Sequence, residues 1–209
     1  MIEVSNDKVV LCSFDAMGYL SVAFAIAIIP LSLILPEWIS WENGPLEDLQ
    51  VVVLALGVFL TAVFAKKACS KKIQHMWLAI SGLFLLLIGR ELSWGRVFFQ
   101  TKMTNTGPEF IAMNQIPHHL IINEMILFFI MAIGVSIVYT VPWRKLLYNI
   151  PFPKKYCILA VIASLFSIVG DHGWFLMKAQ GETMEELAEL LVYSLLVCVV
   201  WHYYTWLEK

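Results

Sequence analysis

The sequence predicts an all-α polytopic membrane protein, a bundle of six transmembrane helices with both termini on the cytoplasmic side. Three observations carry this. The 209 residues are 60% hydrophobic and 14% charged, with a mean hydropathy of +0.77, whereas a soluble domain carries about 25% charged residues. The apolar residues fall into six runs close to the roughly 20 needed for a helix to cross about 30 Å of hydrocarbon. The Lys and Arg residues concentrate on alternate connections, as orientation in a membrane requires. Length alone would admit one or two soluble domains, but so little charge cannot coat a core in water.

The elements follow in order. Span one covers 16–36, behind Glu3, Asp7 and Asp15. That start lacks the positive region and small-residue cleavage site of a removed signal, so the N-terminus is expected to be retained. Span two, 46–65, opens on Asn43-Gly44-Pro45, with Glu47 and Asp48 in a first turn that favours negative charge. Span three covers 73–93. The connection 94–118 pairs Thr106 with Glu109 at capping-box spacing, predicting a short interfacial helix over 108–114 with Phe110, Ile111 and Met113 on the membrane surface. Span four covers 119–141 and span five 156–177. Span six, 186–206, has Thr183 and Glu186 as its capping pair. The runs are continuous rather than alternating, which excludes a membrane barrel. No connection is long enough for a separate domain, so 1–209 reads as a single membrane domain.

Sorting charges by side sharpens the picture. Ten of the fourteen basic residues lie on the termini and the 66–72 and 144–155 connections, with four acids, netting +6. The opposite side has four basic and twelve acidic residues, netting −8. Basic residues mark the cytoplasmic side, so the acidic half faces outward. Trp38, Trp41, Trp94 and Trp174 mark the outer interface, and His75 and His202 read as polar residues of the inner one. Cys12, Cys69 and Cys157 fall on the inner side and Cys198 inside a span, so no outer disulfide is expected. A net charge of −2 without a basic block excludes a nucleic-acid partner.

Several outer acids ask for an explanation. Glu47, Asp48, Glu109, Glu185 and Glu186 suit helix starts. Glu91 and Asp171 do not: each lies near a helix C-terminus, where the macrodipole disfavours a carboxylate. Glu91 is about 27 Å along its span and Asp171 about 22 Å along its own, at 1.5 Å per residue. Glu124 and Glu189 each sit one turn inside spans four and six. A charge at the centre of a membrane helix costs about 2.5–3.5 kcal/mol, so four such acids at similar depth predict one outward-facing polar cavity. Arg90 and Arg96 flank Glu91 and could neutralise it. His119 and Asn123 share one helical face. Donors from Glu91, His119, Glu124, Asp171, His172 and Glu189 could hold a divalent metal such as Zn, Fe or Mn. Ser93 and Ser167 could act as nucleophiles only with a base adjacent, and no Gly-x-Ser-x-Gly elbow is present.

Three segments carry a resemblance: Glu42-Asn-Gly-Pro-Leu-Glu47, Glu91-Leu-Ser-Trp-Gly-Arg96 and Glu185-Glu-Leu-Ala-Glu189. Together they resemble a family of small bacterial multi-pass membrane proteins with no assigned activity, whose third span ends in a Glu-Glu-x-Ser-Trp-Gly-Gln-Arg pattern. Gly107-Pro-Glu109, Asn114-Gln115 and His118-His119 match its following segment, while Arg90 replaces the first acid. The resemblance implies a bacterial cytoplasmic membrane. A looser similarity, to intramembrane CAAX-type proteases, rests on His119-x-x-x-Asn123.

The leading functional expectation is an enzyme acting on a lipid or lipid-linked substrate at the outer leaflet. Glu91 and Asp171 would be its principal acids, with Glu124 beside them and His119 or His172 as proton carrier. Arg96 would clamp an anionic headgroup, with Arg90, Asn123 and Glu47 lining the substrate site. A cation- or proton-coupled transporter or channel is the second expectation, and a non-catalytic scaffold or assembly factor the third. Membrane lipids are the expected partners, with a lipid headgroup or a cation as ligand.

Overall fold

A computed structural model describes residues 3–104, 107–174 and 176–207. It is 81% helical. The long helices are α1 (Glu3–Ile34), α2 (Pro45–Lys67), α3 (Lys71–Glu91), α4 (His119–Thr140), α5 (Lys154–Asp171) and α6 (Lys178–Leu207). Four of them supply segments long and apolar enough to cross a membrane: Ala16–Ile34 of α1, and the whole of α2, α3 and α4. Helices α5 and α6 occupy the last two expected runs with shifted bounds. The chain divides into two compact units, Met1–Glu37 with Pro153–Val199, and Trp38–Phe152 with Val200–Lys209.

The second unit is built on the pair α2 and α3. Helix α2 starts where the sequence places it, with Gly44 as N-cap and Pro45 at the first position. The Glu47 carboxylate accepts a hydrogen bond from the Asn43 backbone N–H at 2.7 Å, closing the entry turn. Three residues then lead into α3, whose N-cap Ser70 accepts from the Ile73 N–H at 3.3 Å. So short a connection makes α2 and α3 antiparallel neighbours. Gly57 permits their contact, since a Cβ there would stand 2.5 Å from the Phe84 ring. At the Lys67/Lys71 end, Phe64 stacks on Tyr204 with ring centres 3.6 Å apart and meets the edge of Trp77 at 5.3 Å. His202, read from sequence as an interfacial residue, is instead buried, its Nε2–H donating to the Pro151 carbonyl at 2.7 Å.

Helix α4 packs on α3 where Ile133 covers Gly82; a Cβ on Gly82 would lie 2.9 Å from Ile133. Ile133 is the one buried residue of α4. Most of the rest of its circumference is exposed or half-buried apolar side chains, with Asn123 and Glu124 as exposed polar exceptions near its start. A helix so largely apolar is at home in hydrocarbon.

Between α3 and α4 the structure corrects the sequence reading. A short antiparallel hairpin, β1 (Gln100–Thr104) and β2 (Gly107–Phe110), stands where a helix over 108–114 was expected. Only a single turn, Met113–Gln115, is helical there. Lys102 and Glu109 are cross-strand partners joined by an ion pair at 3.1 Å, so Glu109 serves a strand rather than a helix start. Thr106, its expected capping partner, lies outside the described residues. Gly107 has φ +123°, and a Cβ on it would press within 3.1 Å of the Trp41 ring. Glycine therefore both turns the strand and lets Trp41 lie against it.

In the first unit, α1 packs on α5. Helices α5 and α6 approach backbone to backbone at Gly170 and Gly181: a Cβ on Gly170 would fall 2.6 Å from the Gly181 carbonyl oxygen. Helix α6 begins at Lys178, eight residues before the expected span. Thr183 is thus inside the helix, its hydroxyl donating to the Ala179 carbonyl at 3.1 Å, and is not a cap. The earlier start carries Gly181 into its contact with Gly170, and Lys178 and Glu182 stand one turn apart on the added segment.

Candidate functional site

An antiparallel helix pair brings the residues before one helix beside those after the other. At the Pro45/Glu91 end of α2 and α3, the entry turn Trp41-Glu42-Asn43-Gly44 therefore meets the exit turn Ser93-Trp94-Gly95-Arg96. The Arg96 guanidinium pairs with Glu42 Oε1. The Ser93 hydroxyl donates to that same oxygen at 3.2 Å. Both charged side chains are about one-third exposed, at 31% and 33%, so the cluster is open to a ligand.

The exit turn is strained. Ser93, Trp94 and Gly95 have φ of +45°, +55° and +92° in succession. Only Gly accepts the left-handed region freely, and each other residue held there costs of order 1 kcal/mol or more. The compensation is visible in packing: the Trp94 ring folds back onto α3 so closely that a Cβ on Gly89 would stand 2.5 Å from it. The same turn delivers Ser93 and Arg96 to Glu42. The Nε–H of Arg96 is buried and, among the described residues, has no hydrogen-bond partner. Such an orphaned donor costs about 1–3 kcal/mol, and an anionic oxygen would satisfy it.

Beside this cluster lies an open groove of about 600 Å³ whose wall includes Trp38, Trp41, Glu42, Met103 and Phe110. The hairpin forms one side and the entry turn the other. A second groove, also about 600 Å³, runs between Trp94 and the first turns of α4, lined by Ile121, Ile122, Glu124, Met125 and Phe128.

The expected site residues are distributed as follows. Glu91 closes α3 with its side chain only 5% exposed, and Arg90 lies 3.6 Å from it. Arg96, expected to share Glu91, turns to Glu42. Glu47 closes the α2 entry turn. His119 is half-buried at the first position of α4, while Asn123 and Glu124 are exposed on it. Asp171 and His172 are exposed at the end of α5, their side chains 3.5 Å apart, and His172 Nδ1 donates to the Ile168 carbonyl at 2.9 Å. Glu189 is half-buried in α6, about 16 Å from the helix start at 1.5 Å per residue. The earlier helix start puts it three turns in rather than one. Glu91, His119, Asn123 and Glu124 belong to one unit, and Asp171, His172 and Glu189 to the other. Among the described residues no three His, Cys, Asp or Glu side chains are grouped to hold a metal ion. A divalent metal on Glu91, His119, Asp171, His172 and Glu189 thus gains no support.

Sequence reasoning missed Glu42 as a site residue and left Ser93 without its partner. The signal was available, because Glu42 and Ser93 both fall within segments that carried the family resemblance. Comparison of the chain with protein-family models, with curated proteins and with solved structures finds no match.

Proposed function

We propose that the chain is a six-span membrane protein of a bacterial cytoplasmic membrane, with both termini cytoplasmic, that acts on an anionic lipid or lipid-linked substrate at the outer leaflet. The observation that carries this is the Glu42–Ser93–Arg96 cluster on a strained turn. A strained backbone persists only where packing enforces it, and such positions concentrate at functional sites. The excess of basic residues on the 66–72 and 144–155 connections supports the orientation, which puts the cluster at outer headgroup depth beside Trp38 and Trp41.

Each residue has a chemical part. Arg96 offers its guanidinium charge, with a buried and unpartnered Nε–H, to a phosphate or carboxylate oxygen that enters the cluster. Ser93 presents a hydroxyl whose proton is already directed at Glu42, so it is placed for attack on the substrate or for proton transfer to it. Glu42 fixes both neighbours and accepts that proton. The Trp38/Trp41 groove takes the adjoining part of the substrate.

Lipid extracts of cells with and without the protein, compared by mass spectrometry, test the reading. A headgroup species should change with the parent protein and revert with Ser93→Ala or Glu42→Gln, both still present in the membrane at parent level. An unchanged lipid profile, together with ion flux through proteoliposomes that depends on Glu124, would overturn it in favour of a transporter.

A further inference from the structure

The second groove has a composition that calls for a particular ligand. Its lining is almost wholly apolar, with Trp94, Ile121, Ile122, Met125 and Phe128 around one carboxylate, Glu124. No described residue makes an ion pair or hydrogen bond with that carboxylate. At 1.5 Å per residue it lies about 7.5 Å below the first residue of α4. Helix α4 is about 31.5 Å long, so with the helix centred on a core of about 30 Å this puts Glu124 roughly 7 Å inside the edge of the hydrocarbon. A bare carboxylate there is costly, and a cation is its natural complement. The aromatic wall adds to this, because a Trp ring attracts a cation lying near its face. Trp94 is not there by chance of rotamer, since its backbone is left-handed and its ring is pinned on Gly89.

We infer that the Trp94–α4 groove binds a membrane lipid with a cationic amine headgroup, its amine paired with Glu124 and its acyl chain lying along Ile121, Met125 and Phe128. Charge complementarity selects the amine, and the length of apolar lining selects a chain-bearing ligand over a free amine. This rests on the membrane reading above but not on the chemistry of Glu42, Ser93 and Arg96. It gives the protein a lipid-binding site separate in composition from the anion-directed cluster, with Trp94 shared between the strained turn and the groove wall.

The test uses the full chain in nanodiscs of a choline-headed lipid doped with either an ethanolamine-headed lipid or the same lipid with its amine acetylated. Lipid retained by the protein is read by native mass spectrometry after gentle release. The parent should retain the free-amine lipid roughly tenfold over the acetylated one, the factor that about 1.4 kcal/mol of differential binding gives. Glu124→Gln, a near-isosteric change at an exposed position, should abolish that preference. Equal retention of the two lipids by the parent, or an undiminished preference in Glu124→Gln, would overturn the inference. The two readings fail separately. Loss of the amine preference alone leaves the lipid changes tested through Ser93 and Glu42 standing, and the converse leaves the amine site standing.

Discussion

Gly89→Ala tests whether the Ser93-Trp94-Gly95 turn is held by contact with α3. In a helix interior, replacing Gly by Ala ordinarily gains about 0.5–1 kcal/mol. At Gly89 the added Cβ would stand 2.5 Å from Trp94 Cζ3 and 2.8 Å from Cε3, well inside contact distance. The ring can escape only by turning about its side-chain torsions out of its seat on α3, since the backbone that carries it lies at φ +55° between two other left-handed residues. Overpacking of this kind costs about 1–3 kcal/mol, so the net expectation is a loss of about 1 kcal/mol. Gly134 in α4 is the internal control, since nothing lies within 4 Å of a Cβ placed there; Gly134→Ala should be neutral or slightly stabilising. Unfolding midpoints of the two variants in the same detergent decide the matter. A midpoint for Gly89→Ala equal to or above that of Gly134→Ala would refute the argument that Gly89 exists to seat Trp94.

Three further outcomes are expected. A double-mutant cycle with Glu42→Gln and Arg96→Met should give a coupling of about 0.5–1 kcal/mol, modest because both side chains are one-third exposed; zero coupling would mean the pair is not formed. Gly170→Ala should cost about 2–3 kcal/mol in unfolding measurements, since its Cβ would meet the backbone of Gly181 and Glu185, which cannot turn aside; a stability loss under 0.5 kcal/mol would show that α5 and α6 do not cross there. With Cys69 as the sole cysteine, a membrane-impermeant maleimide should fail to label intact cells, whereas a Thr101→Cys variant lacking Cys69 should label; reaction of both from the same side would refute the orientation.

The helices were legible because their causes are local. Pro45 after Gly44 starts α2 by chemistry written in adjacent residues, and the span of α3 showed as a long apolar run, although its cap, Ser70, went unread. The hairpin was not, because its determinant is a contact between distant residues, Trp41 on Gly107. The Thr106–Glu109 spacing satisfied a helix rule while Glu109 took Lys102 as partner instead. Thr183 misled in the same way: the capping pattern was present, but the helix starts earlier, sets Gly181 against Gly170 and leaves Thr183 inside it. The candidate site lay between these cases. Glu91 was singled out for its unfavourable helix end and expected in an outward-facing polar cavity, whereas its side chain is only 5% exposed beside Arg90. The Glu42–Ser93–Arg96 cluster needed one more step, that an antiparallel pair of helices sets the entry of the first beside the exit of the second.

The single buried residue of α4 has a mechanical consequence. Helix α4 meets α3 along its length, with Ile122, Ile126, Ser136 and Ile137 half-buried. Ile133 against Gly82 is its one fully buried contact and so the natural pivot for a tilt. Glu124 is nine residues away, about 13.5 Å along the axis at 1.5 Å per residue, so a tilt of about 5° displaces it by roughly 1.2 Å. Bilayer thickness sets helix tilt through hydrophobic mismatch. The gap between Trp94 and Glu124 is therefore geared to the thickness of the surrounding membrane. Spin-label distances from α3 to the His119 end of α4 should change with acyl-chain length, while those measured beside Ile133 stay fixed.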